Sequence, residues 1–163
     1  MASGNTLCVF RPFDNEPPSA NYATLDLRNG HPVLNFDTTT QESAIFTGVM
    51  PRNYAGGGVT VYAHWAAATA TSGTIGWDVA FERIGSASQD IDSDGFASAQ
   101  TITATTVDGT SGNVLITNVA FTDGSQMDSV AVGETFRIRI RRDVANDSAA
   151  GDAQLLALEI KET

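Results

Sequence analysis

Between Thr135 and Arg142 the chain alternates with a period of two: Phe136, Ile138 and Ile140 are interleaved with Arg137, Arg139 and Arg141. Successive side chains of a strand point to opposite faces, so the apolar groups share one side and the guanidinium groups the other. The segment therefore reads as a half-buried strand with a cationic outer row. The pattern recurs upstream, where Val59, Val61, Ala63 and Trp65 share one side of a run, and Ile75, Trp77, Val79 and Phe81 share one side of the next. These two faces are expected to meet in a core between two sheets. Core packing accounts for both tryptophans; ligand stacking would require an exposed ring.

Strands are expected over residues 23–28, 31–37, 42–50, 59–67, 73–84, 100–106, 113–121, 135–143 and 154–161. Asn29-Gly30 between the first two is a strong hairpin signal, because a type I′ turn needs positive φ at both central residues. In that register Arg28 faces His31 and Leu27 faces Pro32. Since Pro32 lacks an N–H, its strand should lie at an edge or leave the sheet there. Gly56-Gly57-Gly58, Ser72-Gly73, Asp94-Gly95, Asp108-Gly109 and Asp123-Gly124 supply turn chemistry between strands. Only residues 125–130 have the pattern of a helical turn. With neither strand-helix alternation nor internal repeats, the expected fold is all-β: an antiparallel two-sheet β-sandwich, jelly-roll-like, spanning residues 23–163 as one domain. Residues 1–22, with Pro12, Pro17 and Pro18, read as an irregular N-terminal arm with room for one short strand.

A chain of 163 residues is long enough to bury a sizeable core without staples. Cys8 is the only cysteine, which leaves no intrachain disulfide and none of the paired-cysteine zinc spacings. The formal net charge is −10. Such a surface repels phosphate backbones, and the one basic cluster, at Arg137, Arg139, Arg141 and Arg142, has no aromatic residue interleaved for base stacking, so nucleic acid is not the expected partner. Neutralisation by carboxylates on neighbouring strands is the plain reading of the arginine row; a protein contact, within an oligomer or with an acidic partner, is the other. Nothing at the N-terminus resembles a signal peptide, and no apolar run approaches the roughly 20 residues that span a bilayer, so synthesis in a cytoplasm and no membrane contact are expected.

Residues 155–158 (Leu-Leu-Ala-Leu) are apolar on both faces, as are the segments around Leu115 and Val119. One face of a sandwich strand normally meets water, so a second apolar face calls for cover by another subunit or by the proline-rich arm. The expected interface residues are Arg137, Arg139, Arg141, Leu115, Leu155, Ala157, Pro17 and Pro18, and the expected assembly is a homo-oligomer, most simply a trimer.

Motifs that carry chemistry are few. Asp90, Asp92 and Asp94, followed by Gly95, match the front half of a calcium loop, while the twelfth position falls on Thr101, which cannot supply a bidentate carboxylate. An acidic surface loop is one reading, and a weak structural calcium site completed by carbonyls, water or another chain is the other; no further cofactor is implied. Asp78 and Glu82 share a face of one strand, but four residues of strand separate them by about 13 Å, too far for a glycosidase pair. They suit cross-strand pairing with the arginines. His31 and His64 are the only histidines, and no closely spaced metal-binding pair exists; His64 is expected on an outer face with Thr60 and Tyr62. Gly109-Thr110-Ser111-Gly112 is too short for a nucleophile elbow, and no phosphate loop or dinucleotide fingerprint occurs. No catalytic residues are expected.

Residues 45–51 (IFTGVMP), 77–84 (WDVAFERI) and 132–143 (VGETFRIRIRRD) resemble virion-associated proteins of tailed bacteriophages. The resemblance runs from about Gln41 to the C-terminus and is closest in style to jelly-roll head decoration, or cement, proteins. It implies a homotrimer on the capsid exterior that binds the major capsid protein and stabilises the head without catalysis. The alternative is a receptor- or carbohydrate-binding β-sandwich of a phage tail fibre. Exposed aromatics in a groove favour sugar binding; a flat base with a projecting N-terminal arm favours decoration.

Overall fold

A computed structural model describes residues 4–163. It contains ten strands: β1 (Thr6–Phe10), β2 (Thr24–Arg28), β3 (His31–Phe36), β4 (Ser43–Val49), β5 (Val59–Ala67), β6 (Thr74–Ile84), β7 (Gln100–Thr106), β8 (Leu115–Phe121), β9 (Thr135–Arg142) and β10 (Ala153–Glu162). The first sheet has the order β2-β3-β10-β5-β8, with β1 also on β10; the second has the order β4-β9-β6-β7. Their strand pairs are antiparallel, and the architecture is the jelly-roll-like sandwich that the alternation predicts. The two 3₁₀ turns, Pro12–Asp14 and Ser125–Met127, are the only helical elements among the described residues.

The hairpin forms as expected, with Asn29 at φ 48° and Gly30 at φ 79°, and with Arg28 opposite His31 and Leu27 opposite Pro32. β3 pairs with β10 only through residues 34–36, so Pro32 lies where that ladder has already ended. Trp65 and Trp77 are fully buried, their rings 6.1 Å apart, and Phe36 meets Trp77 edge-on at 5.0 Å. Their role is core packing.

Two expectations are corrected by tertiary structure. The first concerns β10, whose register shifts between Leu155 and Ala157 relative to β5. The added residue of this bulge lets Leu155 and Leu158 both face the core, at 1% and 0% exposure, while Leu156 and Ala157 stay half-buried. Leu155 is therefore a core residue and not an interface residue. Leu115 likewise packs against the core from its half-buried position. The run of apolar residues reflects an irregular strand, not two buried faces.

The second correction concerns the arm. β3 meets β10 only at residues 153–155, which leaves the same edge of β10 open further along, and β1 fills it from Thr6 opposite Lys161 to Phe10 opposite Leu158. Phe10 is buried and stacks on Phe46 at 5.4 Å. Beyond it the chain runs along the edge strand β4: Glu16 N–H donates to the Ile45 carbonyl, Ile45 N–H to the Asn15 side chain, and Ser43 N–H to the Asn21 carbonyl. Residues 4–22 are thus part of the sandwich and do not project from it.

Candidate functional site

On the outer face of the second sheet, the arginine row is matched by carboxylates of β6. Arg137 donates to Glu82 at 2.9 Å, and Arg141 lies 3.6 Å from Asp78, as cross-strand pairing predicts. Arg139 stacks on Phe96, with its guanidinium carbon 4.6 Å from the ring centre, and Arg137 lies over the same ring at 5.3 Å. Partial burial, followed by the neighbouring Arg141, lowers the pKa of Arg139 from the ordinary arginine value. Nearby, Arg83 grips Glu134 with two hydrogen bonds of 2.6 Å. The fourth arginine of the cluster, Arg142, points inward: it is fully buried against Asp147 and donates to the carbonyls of Ala149 and Gly151. This face is neutralised internally.

The acidic loop is held by its own turn. Asp90 accepts from the Asp92 N–H, Asp94 from the Gly95 N–H, and the Asp90 carbonyl takes the N–H groups of Ser93 and Asp94. The carboxylates of Asp90 and Asp94 thus accept bonds from their own turn, and among the described residues no three acidic, histidine or cysteine side chains converge to hold an ion. His64 sits on the outer face of the first sheet, 3.5 Å from Glu159. Asp78 and Glu82 are both engaged by arginines across the strand, as their parity predicts.

The remaining features lie on the first sheet and the segment that wraps beside it. The segment turns at Pro12–Asp14, where the Asp14 carboxylate accepts from the Arg11 N–H at 2.7 Å and fixes the corner. That corner throws Phe13 outward at 68% exposure. Tyr22, held beside Ser43 by a parallel bridge, is 49% exposed. Phe13 and Tyr22 line one groove of about 260 Å³ together with Asn15, Pro17 and Leu25. Pro17 is an exposed wall of this groove, and Pro18 is half-buried next to it in the chain.

A larger cleft, about 480 Å³, opens on the outer face of the first sheet between the β2-β3 hairpin and the loop before β8. Its floor is aliphatic, from Val33, Ala66 and Leu156, and its rim is polar, with Arg28, His31 and Asn113. Arg28 reaches across the sheet, donating through Nη1 to the Ala67 carbonyl at 2.9 Å and to Gln154 Oε1 at 2.7 Å. Gln154 in turn donates to Asn35. Gly112, at φ 91°, makes room: a Cβ there would lie 2.6 Å from Arg28 Nη2. Phe13, Tyr22 and Arg28 were not legible as site residues in sequence, since the aromatics fall in the supposed arm and Arg28 reads only as the last residue before a turn. The available signal was a Pro-Phe-Asp corner that places an aromatic outside any apolar pattern.

No family model matches the chain, and no curated protein matches it in sequence. Solved structures do share its fold. A family 35 carbohydrate binding module from an environmental isolate superposes with a TM-score of 0.55 at 10% identity, over 96% of this chain and 94% of that one. The CBM22-2 xylan-binding domain from Paenibacillus barcinonensis Xyn10C gives 0.52 at 10% identity, with 92% of each chain covered. An exo-beta-1,3-galactanase from Phanerochaete chrysosporium gives 0.52 at 12% identity, over 98% of this chain and 29% of the enzyme. At such identities the likeness is one of fold.

Proposed function

We propose that this protein is a non-catalytic carbohydrate-binding β-sandwich that holds sugar in the groove of Phe13 and Tyr22. The observation that carries the reading is the pair of exposed rings sharing one concave surface. Large exposed aromatics are costly to leave in water and are placed where an amphipathic ligand can cover them. A sugar ring fits that description: its C–H face packs on an aromatic ring while its hydroxyls reach polar groups such as the Asn15 amide. The fold shared with carbohydrate-binding modules is consistent with this use, though a fold alone does not assign it. The two features that favoured a capsid-exterior role, a projecting arm and strands apolar on both faces, are internal to the sandwich, so the glycan reading has the stronger physical support.

The test is a glycan array of neutral and acidic polysaccharides, followed by calorimetry on the best ligand. Phe13→Ala combined with Tyr22→Ala should weaken binding at least about tenfold, as expected for loss of two buried aromatic contacts. Unchanged affinity in the double variant would remove the groove from the proposal, and absence of binding to every glycan by the unmodified protein would overturn the function.

A further inference from the structure

We infer that the Arg28 cleft is a second subsite of the same binding surface, and that the ligand is an extended oligosaccharide chain, not a single terminal sugar. This rests on the carbohydrate reading and specifies what kind of carbohydrate fits. The aromatic groove and the cleft are joined by a third depression of about 160 Å³. It shares Pro12 and Phe13 with the groove and His31 and Leu156 with the cleft, so one surface runs from Tyr22 to Val114. The cleft alone has a volume of about 480 Å³ and is lined from Arg28 and Asn29 at the β2-β3 turn to Val114 before β8. One sugar ring in the aromatic groove would leave the joining depression and the cleft empty; several linked rings can cover all three.

The cleft has the chemistry for this ligand. Its aliphatic floor offers a flat apolar contact, and its rim offers hydrogen-bond donors and acceptors. Arg28 is fixed in place by the two bonds from Nη1, whereas Nε and Nη2 have no hydrogen-bond partner among the described residues. A guanidinium held rigidly with donors to spare binds sugar oxygens with little loss of side-chain freedom. The outer face of the second sheet has no counterpart, because Arg137 and Arg141 are paired with carboxylates and Arg139 is stacked on Phe96.

The experiment measures affinity against chain length, using a disaccharide-to-octasaccharide ladder cut from the best polysaccharide on the array. With the unmodified protein, affinity should rise with length beyond the trisaccharide and then level off. Two variants probe the cleft. Val114→Trp places a bulky ring at its exposed rim, where the fold tolerates change, and Arg28→Lys keeps the charge but loses the planar donor fork. Each should weaken binding of the longest chains at least about tenfold and binding of the disaccharide far less, because only long chains reach the cleft. The Phe13→Ala, Tyr22→Ala variant should weaken all lengths. Affinity that is flat with length, or longest-chain binding unaffected by Val114→Trp, would overturn the second subsite while leaving the aromatic groove standing. Disaccharide binding lost in Val114→Trp but kept in the aromatic variant would overturn the order of the subsites and the proposed function together.

Discussion

The two outer surfaces of this sandwich use the same kinds of residue in opposite ways. On the β4-β9-β6-β7 sheet, Arg137 and Arg141 meet Glu82 and Asp78, and Phe96 caps Arg139. On the β2-β3-β10-β5-β8 sheet and the N-terminal segment that runs from it along the β4 edge, Arg28 has no carboxylate partner within ion-pair distance among the described residues, and Phe13 and Tyr22 face solvent. The first surface holds itself together; the second presents donors and rings that the fold does not consume. The lesson is that a row of cations is a weaker pointer to a binding site than a single cation fixed by neutral partners. Pairing with carboxylates discharges the row, whereas bonds to a carbonyl and an amide leave the charge of Arg28 in place.

The contrast can be broken most severely at Arg142, the inward member of the arginine cluster. Arg142→Met should cost about 3–5 kcal/mol, since Asp147 would be left as a buried unpaired charge and the Ala149 and Gly151 carbonyls would lose a donor. Urea unfolding measures this, and a loss below about 1 kcal/mol would show that the site is hydrated or relaxes easily. Arg137→Ala should cost less, about 1–3 kcal/mol, because Glu82 is buried but Arg137 itself is partly exposed. If Arg137→Ala proved as harmless as a change at Phe13, the distinction between a self-neutralised face and an open one would collapse.

Acid should act through carboxylates that the fold already engages. The Arg83 guanidinium and the Ala131 N–H lower the Glu134 carboxyl to about 2, from an ordinary 4.5, and hydrogen bonds from the Thr40 N–H, then the Thr39 N–H and the Thr39 hydroxyl, lower Asp37 to about 2. A carboxylate whose folded pKa is depressed stabilises the protein fully above its unfolded pKa, and that contribution is lost as pH falls through the folded value. The melting temperature should therefore fall as pH drops from about 4.5 toward 2, and Glu134→Gln should flatten part of that fall. A profile identical in the variant would show that the Arg83 pair is too well solvated to matter. The smallest stability effect belongs to the open side: Phe13→Ala and Tyr22→Ala should each change unfolding free energy by less than about 0.5 kcal/mol while weakening glycan binding. A large stability loss there would make the rings structural.

Much of the architecture is written in local pattern. Alternation of period two in β5, β6 and β9 identifies the strands and the core-facing side of each, and Asn29-Gly30 sets the β2-β3 register through turn geometry. The pairing of Asp78 and Glu82 with the arginine row follows from the same parity. These features depend on neighbours in sequence or on the fixed pleat of a strand, so the sequence by itself determined them. Tertiary structure alone decided the rest. The bulge in β10 turned an apparently double-faced apolar strand into an ordinary core strand, and the edge that β3 leaves open drew residues 6–10 into the sheet. The groove and the cleft arise because the wrap turns Phe13 and Tyr22 of one short segment into a shared groove, and the hairpin brings Arg28 beside Gly112, far away along the chain. Parity along a strand assigns a side chain to a face, but which faces stay concave and unpaired depends on where separate segments end and pack.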